Sequence, residues 1–171
     1  MKRLIAGLLP PLPTPFDERE QVAGDRFRAN IERWNRWDCA TGEFVHLTER
    51  ERWKVVETAR EAILSDKLLI VGASYNATRE AVDFARRAAS LRADALLVGT
   101  PHYYRDQITP RVLLEHYRRI ADASPIPILL YSVPQFTGIA LDPETVARLA
   151  EHPNIVGIKE LSLIHISEPT R

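Results

Sequence analysis

Lys159 is the first residue whose type and position could do covalent chemistry, because it directly follows the apolar run Ile155–Ile158. A lysine at the end of a buried strand costs free energy unless it reaches water, pairs with an acid or performs a reaction. Burial disfavours the charged ammonium and favours the neutral amine, which is the form that attacks a ketone carbonyl. Lys159 is therefore a candidate nucleophile, and a lysine that only extends into solvent is the structural alternative.

Tyr131 ends the preceding apolar run, Ile126–Tyr131, and is the second candidate. Neighbouring strands lie ~4.8 Å apart, so side chains at the ends of consecutive strands can reach one substrate. A phenol in that position could carry protons to and from an imine and a leaving oxygen. A core aromatic residue with its hydroxyl at the rim is the alternative. The pair of Lys159 and Tyr131 is more informative than either residue alone.

Two polar loops could contact a substrate or a second subunit. The triplet Thr41-Gly42-Glu43 precedes a capped helix, and a threonine with exposed backbone N–H groups suits a carboxylate. A plain loop is the alternative for so short a motif. The stretch Thr100–Arg105 follows another apolar run and includes Tyr103, so it could line a pocket or a subunit contact. A lone histidine such as His102 is more often a surface residue than a catalyst.

Short apolar runs separated by amphipathic helices predict a parallel sheet covered by helices. Residues 4–9 form one possible run, the first helix spans about residues 25–37, and four further runs are clear: Leu68–Val71, Ala95–Val98, Ile126–Tyr131 and Ile155–Ile158. The later helices have recognisable starts, with a capping box at Thr48 and Glu51 and a capping side chain before a proline at Thr109 and Asp142. The runs recur at roughly the 30-residue length of a βα unit.

A parallel sheet of this kind is either doubly wound or closed into a barrel. A dinucleotide-binding doubly wound sheet would need a G-x-G-x-x-G turn after an early strand, and the sequence has none. The strand ends instead carry reactive side chains, namely Ser74, Thr100, Tyr131 and Lys159. In a (β/α)8 barrel the active site lies at the C-terminal ends of the strands, so the barrel is favoured.

Two parts of such a barrel are not apparent in the sequence. Between the first helix and the helix that follows Thr48 there is no room for a loop and a strand of usual length. After Lys159 only a short stretch without a helix pattern remains, and a complete barrel needs about 250 residues against 171 here. We therefore predict an α/β fold that is an incomplete TIM barrel, with about strands 1 and 3–6 present, strand 2 deleted and strands 7–8 missing.

Composition excludes several classes of function. Lysine plus arginine and aspartate plus glutamate both number 23, so the basic excess expected of a nucleic-acid binder or of a protein on an anionic membrane is absent. The single cysteine, Cys39, allows no internal disulfide and suggests no metal cluster, which favours a reducing cytoplasm. No apolar run approaches the ~18–20 residues that span a bilayer. The expected partner is a small molecule.

Five stretches, in this order and spacing, resemble the dihydrodipicolinate synthase/N-acetylneuraminate lyase family of class I aldolases: LLPPLPTPF, TGEFVHLTERER, ADALLVGTPHYYR, SPIPILLYSVPQFTG and LAEHPNIVGIKE. The resemblance implies that Lys159 forms a Schiff base with a pyruvate-like 2-oxo acid and that Tyr131 relays protons. It implies that Thr41 and Gly42 lie in the motif that holds the substrate carboxylate. Tyr103 matches a tyrosine that reaches across a dimer interface. A homo-oligomer, dimer or tetramer, and no metal or organic cofactor are implied.

Departures from the family pattern refine the expected activity. Ala40 stands before Thr41, where the family has the first hydroxyl of its carboxylate pair, so that first hydroxyl is missing from this chain. Phe136 stands where dihydrodipicolinate synthases carry an arginine that recognises the second substrate, and an aromatic ring cannot supply that bidentate fork. The stretches TPHYYR, SPIP and YSVP are closer to the 4-hydroxy-2-oxoglutarate aldolase branch, which forms pyruvate and glyoxylate.

The resemblance covers about Leu4 to Glu160, and we expect residues 1–160 to form a partial barrel domain. Residues 161–171, LSLIHISEPTR, resemble a translated library adaptor and are set apart from the fold. We therefore expect the chain as written to be an inactive fragment of a lyase. The alternatives are a non-catalytic α/β ligand-binding or scaffold domain and, within the family, a dihydrodipicolinate synthase or another 2-oxo acid aldolase.

Overall fold

The computed structural model describes residues 5, 9–34, 39–41 and 44–161. Within these residues the parallel strands are β1 Pro11–Leu12, β2 Cys39–Thr41, β3 Leu69–Gly72, β4 Ala95–Gly99, β5 Ile128–Ser132 and β6 Ile155–Glu160. The helices are α1 Gly24–Trp34, α2 Glu49–Ala62, α3 Thr78–Ser90, α4 Pro110–Ala123, α5 Pro134–Thr137 and α6 Pro143–Ala150. Short 3₁₀ turns lie at Phe44–His46 and Arg105–Gln107. Strand order in the sheet follows the order of the chain.

The chain divides into two compact units, and the first consists of Met1–Gly72 and Arg87–Leu96. Its strands β1, β2 and β3 pair in parallel, with Pro11 opposite Ala40 and Cys39 opposite Leu69. Helix α1 buries Phe27 and Ile31 on one face. The unit is therefore built from consecutive strand–helix–strand segments.

The expected deletion of strand 2 is wrong, because Cys39–Thr41 forms β2 between β1 and β3. Three extended residues are enough to pair on both sides, so the segment does not need room for a strand of usual length. The possible strand at residues 4–9 lies mostly outside the described residues, and the first strand is Pro11–Leu12 instead. The first helix ends at Trp34, and residues 35–37 are not among those described.

Helix α2 begins as the sequence predicts. The Thr48 side chain accepts a hydrogen bond from the Glu51 backbone N–H at 3.3 Å, and Glu51 accepts one from the Thr48 backbone N–H at 2.9 Å. These bonds lower the pKa of the Glu51 carboxyl. The box satisfies two backbone donors that the helix itself leaves without partners, and it orients α2 so that Trp53, Val56 and Ala59 are buried.

The second unit consists of Ala73–Arg86 and Leu97–Arg171. The predicted caps are confirmed, since Thr109 accepts from the Val112 N–H at 3.4 Å and Asp142 accepts from the Thr145 N–H at 2.9 Å. Each cap is followed by a proline at the start of its helix. Helix α4 carries Tyr117, the largest of the fully buried side chains among the described residues, whose hydroxyl donates to the Val98 carbonyl at 3.3 Å.

His116 on α4 is a buried titratable group in this unit. Its side chain is 3 % exposed, and its Nδ1 lies 2.9 Å from the Thr78 hydroxyl. The ring stands edge-on to Tyr117 at 5.4 Å. Burial, assisted by the charge of Arg119, lowers the pKa of His116 from 6.5 to about 4. Between about pH 4 and pH 6.5, His116 is therefore a neutral imidazole in the folded protein, whereas the same side chain is protonated in the unfolded chain.

We expect the free energy of unfolding to fall as pH is lowered from about 6.5 to about 4. Over that window the unfolded state binds a proton that native His116 does not, and the full loss is on the order of 3 kcal/mol. Urea titrations at several pH values measure it. His116→Gln should flatten the pH dependence, whereas His46→Gln, at an exposed position, should leave it unchanged. An equal pH dependence in all three proteins would contradict the assignment.

Candidate active site

Lys159 and Tyr131 lie side by side in the second unit. They are register partners on the parallel strands β6 and β5, and the Lys159 Nζ lies 5.0 Å from the centroid of the Tyr131 ring. Both side chains are half-buried, so a ligand can reach them. At that distance an ammonium group interacts favourably with the ring face. The expectation that these two strand-end side chains meet is confirmed.

A register shift creates this pairing. Ile128 lies opposite Ile155, but Leu129 lies opposite Gly157, so one residue of β6 is passed over at this point. Side chains alternate between the two faces of a sheet, and a one-residue slip exchanges the faces. The shift therefore places Lys159 on the same face as Tyr131. A Cβ at Gly157 would lie 3.0 Å from the Leu129 Cδ2, a tight contact that the end of the leucine side chain would have to relieve.

The phenol of Tyr131 is kept in its protonated form. Partial burial raises the pKa of Tyr131 above its usual value, because the charged phenolate loses solvation away from water. At neutral pH the hydroxyl is therefore a proton donor. The formation of an imine on an amine such as that of Lys159 is accelerated by a nearby proton donor, and the Tyr131 hydroxyl can serve as that donor.

Gly99 has Ser74 on one side and Tyr131 near it. The Gly99 backbone N–H donates to the Ser74 Oγ at 3.1 Å. A Cβ on Gly99 would be only 2.5 Å from that Oγ and 3.9 Å from the Tyr131 Cδ1. Glycine is thus required where the loop after β3 approaches the end of β4. Sequence analysis identified Ser74 as a strand-end residue, but it did not predict this close approach.

Asn76 is a residue that the sequence analysis missed. Its Oδ1 accepts hydrogen bonds from the backbone N–H groups of His102 at 2.8 Å and of Tyr103 at 3.0 Å. Tyr103 itself is 74 % exposed and packs edge-on against Tyr104. The loop borders a cavity of about 650 Å³. A single carboxamide therefore fixes the backbone that carries Tyr103, and no spacing rule in the sequence signals it.

Phe136 lies on the short helix α5, close in sequence to Tyr131. Its side chain is 77 % exposed. The helix ends at Gly138, whose φ of 70° is a left-handed conformation that favours glycine. The Arg105 guanidinium lies flat over Gly138, with three atoms 3.0 to 3.1 Å from the position of a Cβ. The Arg105 guanidinium and the exposed Phe136 ring therefore both lie near the C-terminal end of α5.

The remaining predicted residues have different outcomes. Thr100 is 1 % exposed, and its hydroxyl has no hydrogen-bond partner within the described part of the chain. Thr41 ends β2 and belongs to the first unit. Gly42 lies outside the described residues. The structure thus brings Lys159 and Tyr131 together and leaves the role of Thr41 and Gly42 as a prediction.

Two other features are absent from residues 5, 9–34, 39–41 and 44–161. None of their histidine, cysteine, aspartate and glutamate side chains form a group of three that could hold a metal ion. None of the helices in that part of the chain is long and apolar enough to cross a membrane.

Residues 4–164 match the Dihydrodipicolinate synthetase family. The chain belongs to this family. A 4-hydroxy-tetrahydrodipicolinate synthase of Methanothrix thermoacetophila is 40% identical over 166 residues, covering 93% of this chain and 55% of the relative. One of Anaeromyxobacter dehalogenans is 47% identical over 120 residues, covering 70% of this chain and 40% of the relative. The chain spans about half the length of the curated relatives it matches.

Solved structures agree with this assignment. The chloride-inhibited dihydrodipicolinate synthase of Acinetobacter baumannii, complexed with pyruvate, has a TM-score of 0.85 at 33% identity, over 91% of this chain and 55% of that one. The Clostridium difficile protein CdNal, in complex with mannosamine, has a TM-score of 0.86 at 22% identity, over 94% and 58% respectively, which shows the fold alone. The predicted α/β class and incomplete (β/α)8 barrel are confirmed.

Asn76→Leu should release the loop after β4, because both backbone donors lose their acceptor. We expect the amide hydrogens of His102 and Tyr103 to exchange about tenfold faster with solvent, as the loss of one net hydrogen bond would produce. Hydrogen exchange followed by NMR measures this. Asn76→Asp keeps an acceptor oxygen and should retain protection, and amides of α4 serve as the internal reference. Unchanged exchange in Asn76→Leu would show that the loop is held by other contacts.

Proposed function

We propose that this chain carries the Schiff-base centre of a carbon–carbon lyase acting on pyruvate-type 2-oxo acids. The observation that carries the proposal is the pairing of Lys159 with Tyr131, whose ring centroid lies 5.0 Å from the Lys159 Nζ. An amine that closes an apolar strand beside a protonated phenol has the two groups that imine chemistry needs. Membership of the Dihydrodipicolinate synthetase family supports the same chemistry.

The neutral amine of Lys159 attacks the C2 carbonyl of the 2-oxo acid and forms a carbinolamine. Proton donation by Tyr131 allows the C2 hydroxyl to leave as water, and an iminium results. When the bond between C3 and C4 breaks, its electron pair moves into the iminium to give an enamine, and the C4 hydroxyl loses its proton as an aldehyde forms. Protonation at C3 and hydrolysis of the imine then release pyruvate and free Lys159. This sequence requires no metal or organic cofactor.

Three other residues have roles carried over from the family resemblance. Thr41 and Gly42 would hold the carboxylate of the 2-oxo acid through the threonine hydroxyl and backbone N–H groups. Tyr103 would extend the proton relay into a second subunit, and its 74 % exposure is compatible with that role. The active form would then be a homo-oligomer, because one copy supplies a tyrosine to the site of the other.

Phe136 bears on the choice of substrate. An exposed phenylalanine stands where the resemblance expects an arginine, and it cannot form two parallel hydrogen bonds to a carboxylate. We therefore propose cleavage of 4-hydroxy-2-oxoglutarate to pyruvate and glyoxylate as the preferred reaction. The second candidate is dihydrodipicolinate synthesis, which the names of the curated relatives favour.

In a longer form of the protein that spans the full length of its relatives, borohydride reduction in the presence of pyruvate should attach a stable adduct to Lys159, because reduction converts the imine to a secondary amine. Peptide mass spectrometry locates the adduct. Lys159→Ala should abolish it, whereas Lys67→Ala, a lysine in the turn before β3, should not. Equal labelling of the Lys159→Ala protein would remove Lys159 from the mechanism.

The substrate proposal can be tested by comparing kcat/KM for two reactions in a longer form of the protein that spans the full length of its relatives. Cleavage of 4-hydroxy-2-oxoglutarate should exceed condensation of pyruvate with aspartate semialdehyde by at least about tenfold, since one charge-assisted hydrogen-bonding pair is missing. Phe136→Arg should lower the ratio of kcat/KM for cleavage to kcat/KM for condensation. Gln135→Arg, at the neighbouring exposed position, is the matched control and should leave that ratio unchanged. A parent protein that prefers the semialdehyde would instead be a synthase.

A further inference from the structure

Thr78 and His116 form a contact that the chemistry described above does not use. The Nδ1 atom of His116, on α4, lies 2.9 Å from the hydroxyl of Thr78, the first residue of α3. The imidazole is buried, and its Nε2 atom has no hydrogen-bond partner within the described part of the chain. Because a buried polar ring without a hydrogen bond costs free energy, this contact ties the start of α3 to α4.

Asn76 lies two residues before Thr78, in the segment that joins β3 to α3. Its Oδ1 accepts hydrogen bonds from the backbone N–H groups of His102 at 2.8 Å and of Tyr103 at 3.0 Å. Asn76 is exposed, so burial does not fix the direction of its side chain. The position of the carboxamide therefore depends on how the backbone is held on either side of it.

The backbone is anchored on both sides of Asn76, and all the residues involved belong to the second unit. On the side of β3, the Gly99 N–H donates to the Ser74 Oγ at 3.1 Å. On the side of α3, the Thr78 hydroxyl meets the His116 ring. Each anchor lies two residues from Asn76, which leaves the short segment between them little freedom to move.

We propose that Thr78 is a positioning residue for Tyr103 and that it acts through Asn76. Its hydroxyl, bonded to the buried His116, fixes one end of the segment from which Asn76 binds the backbone of Tyr103. The Tyr103 side chain is 74 % exposed and is not held by burial, so its direction depends on that backbone. The inference rests on the relay role proposed for Tyr103, because a phenol that serves a second subunit must be presented in a fixed position.

The test begins with Thr78→Val, which keeps a branched side chain of similar shape and removes the hydroxyl. We expect the amide hydrogens of His102 and Tyr103 to exchange with solvent about threefold faster, a part of the roughly tenfold effect of replacing Asn76 itself. Hydrogen exchange followed by NMR measures this, with amides of β5 as the internal reference. Thr78→Ser retains the hydroxyl and should restore the protection of both amides.

A double-mutant cycle separates action through Asn76 from a general loss of stability. In an Asn76→Leu background the two amides have already lost their acceptor, so Thr78→Val should raise their exchange by less than about 1.5-fold. Thr145→Val is the matched control, since the Thr145 hydroxyl also donates to a side chain, at 2.7 Å to Asp142. It should leave the exchange of both amides unchanged in either background.

Equal effects of Thr78→Val in the two backgrounds would overturn the proposal, because the hydroxyl would then act independently of Asn76. Unchanged exchange in Thr78→Val, or a Thr78→Ser protein that stays unprotected, would overturn it as well.

The relay role of Tyr103 is tested separately, in a longer form of the protein that spans the full length of its relatives. There Thr78→Val should lower kcat about threefold and change KM for pyruvate by less than about twofold, as expected when a group acts mainly in the transition state. Faster exchange that depends on Asn76, together with an unchanged kcat, would refute the relay role of Tyr103 and leave the positioning of its loop established.

Discussion

The site depends above all on the shifted register between β5 and β6. The pairing begins with Ile128 opposite Ile155 and continues with Leu129 opposite Gly157, which moves Lys159 into line with Tyr131. In an unshifted register the amine would point to the other face of the sheet, since faces alternate with each residue. The catalytic hypothesis therefore rests on a backbone feature rather than on the two side chains by themselves.

The loops beside the site are held mainly by side chains that bond to backbone. The loop after β3 supplies Ser74 to the Gly99 N–H and Asn76 to two N–H groups of the loop after β4. Loops lack the regular pairing of strands, and their backbone groups still require partners. One loop therefore sets the positions of both the space above Gly99 and the exposed Tyr103. A substitution at Ser74 or Asn76 changes the site without touching Lys159.

Sequence signals that involve only residues close together in the chain predicted the helix starts well. The caps at Thr48, Thr109 and Asp142 form as expected, because each bond joins residues three apart in the chain. The four clear strands are confirmed within a few residues of the predicted ends. The short β2 at Cys39–Thr41 was missed, because three residues have no recognisable pattern and become a strand only by pairing with β1 and β3.

By itself the sequence determined that a lysine and a tyrosine stand at the ends of consecutive apolar strands and that the fold is an incomplete barrel of βα units. Those features follow from hydrophobic pattern and chain order, which need no knowledge of distant contacts. Only the tertiary structure decided that Lys159 meets Tyr131, that the register between β5 and β6 shifts, and that Asn76 secures the loop of Tyr103. Each of these depends on atoms that approach across different strands or loops. Such close approaches leave no periodic trace in the sequence, because they arise only when the elements pack together.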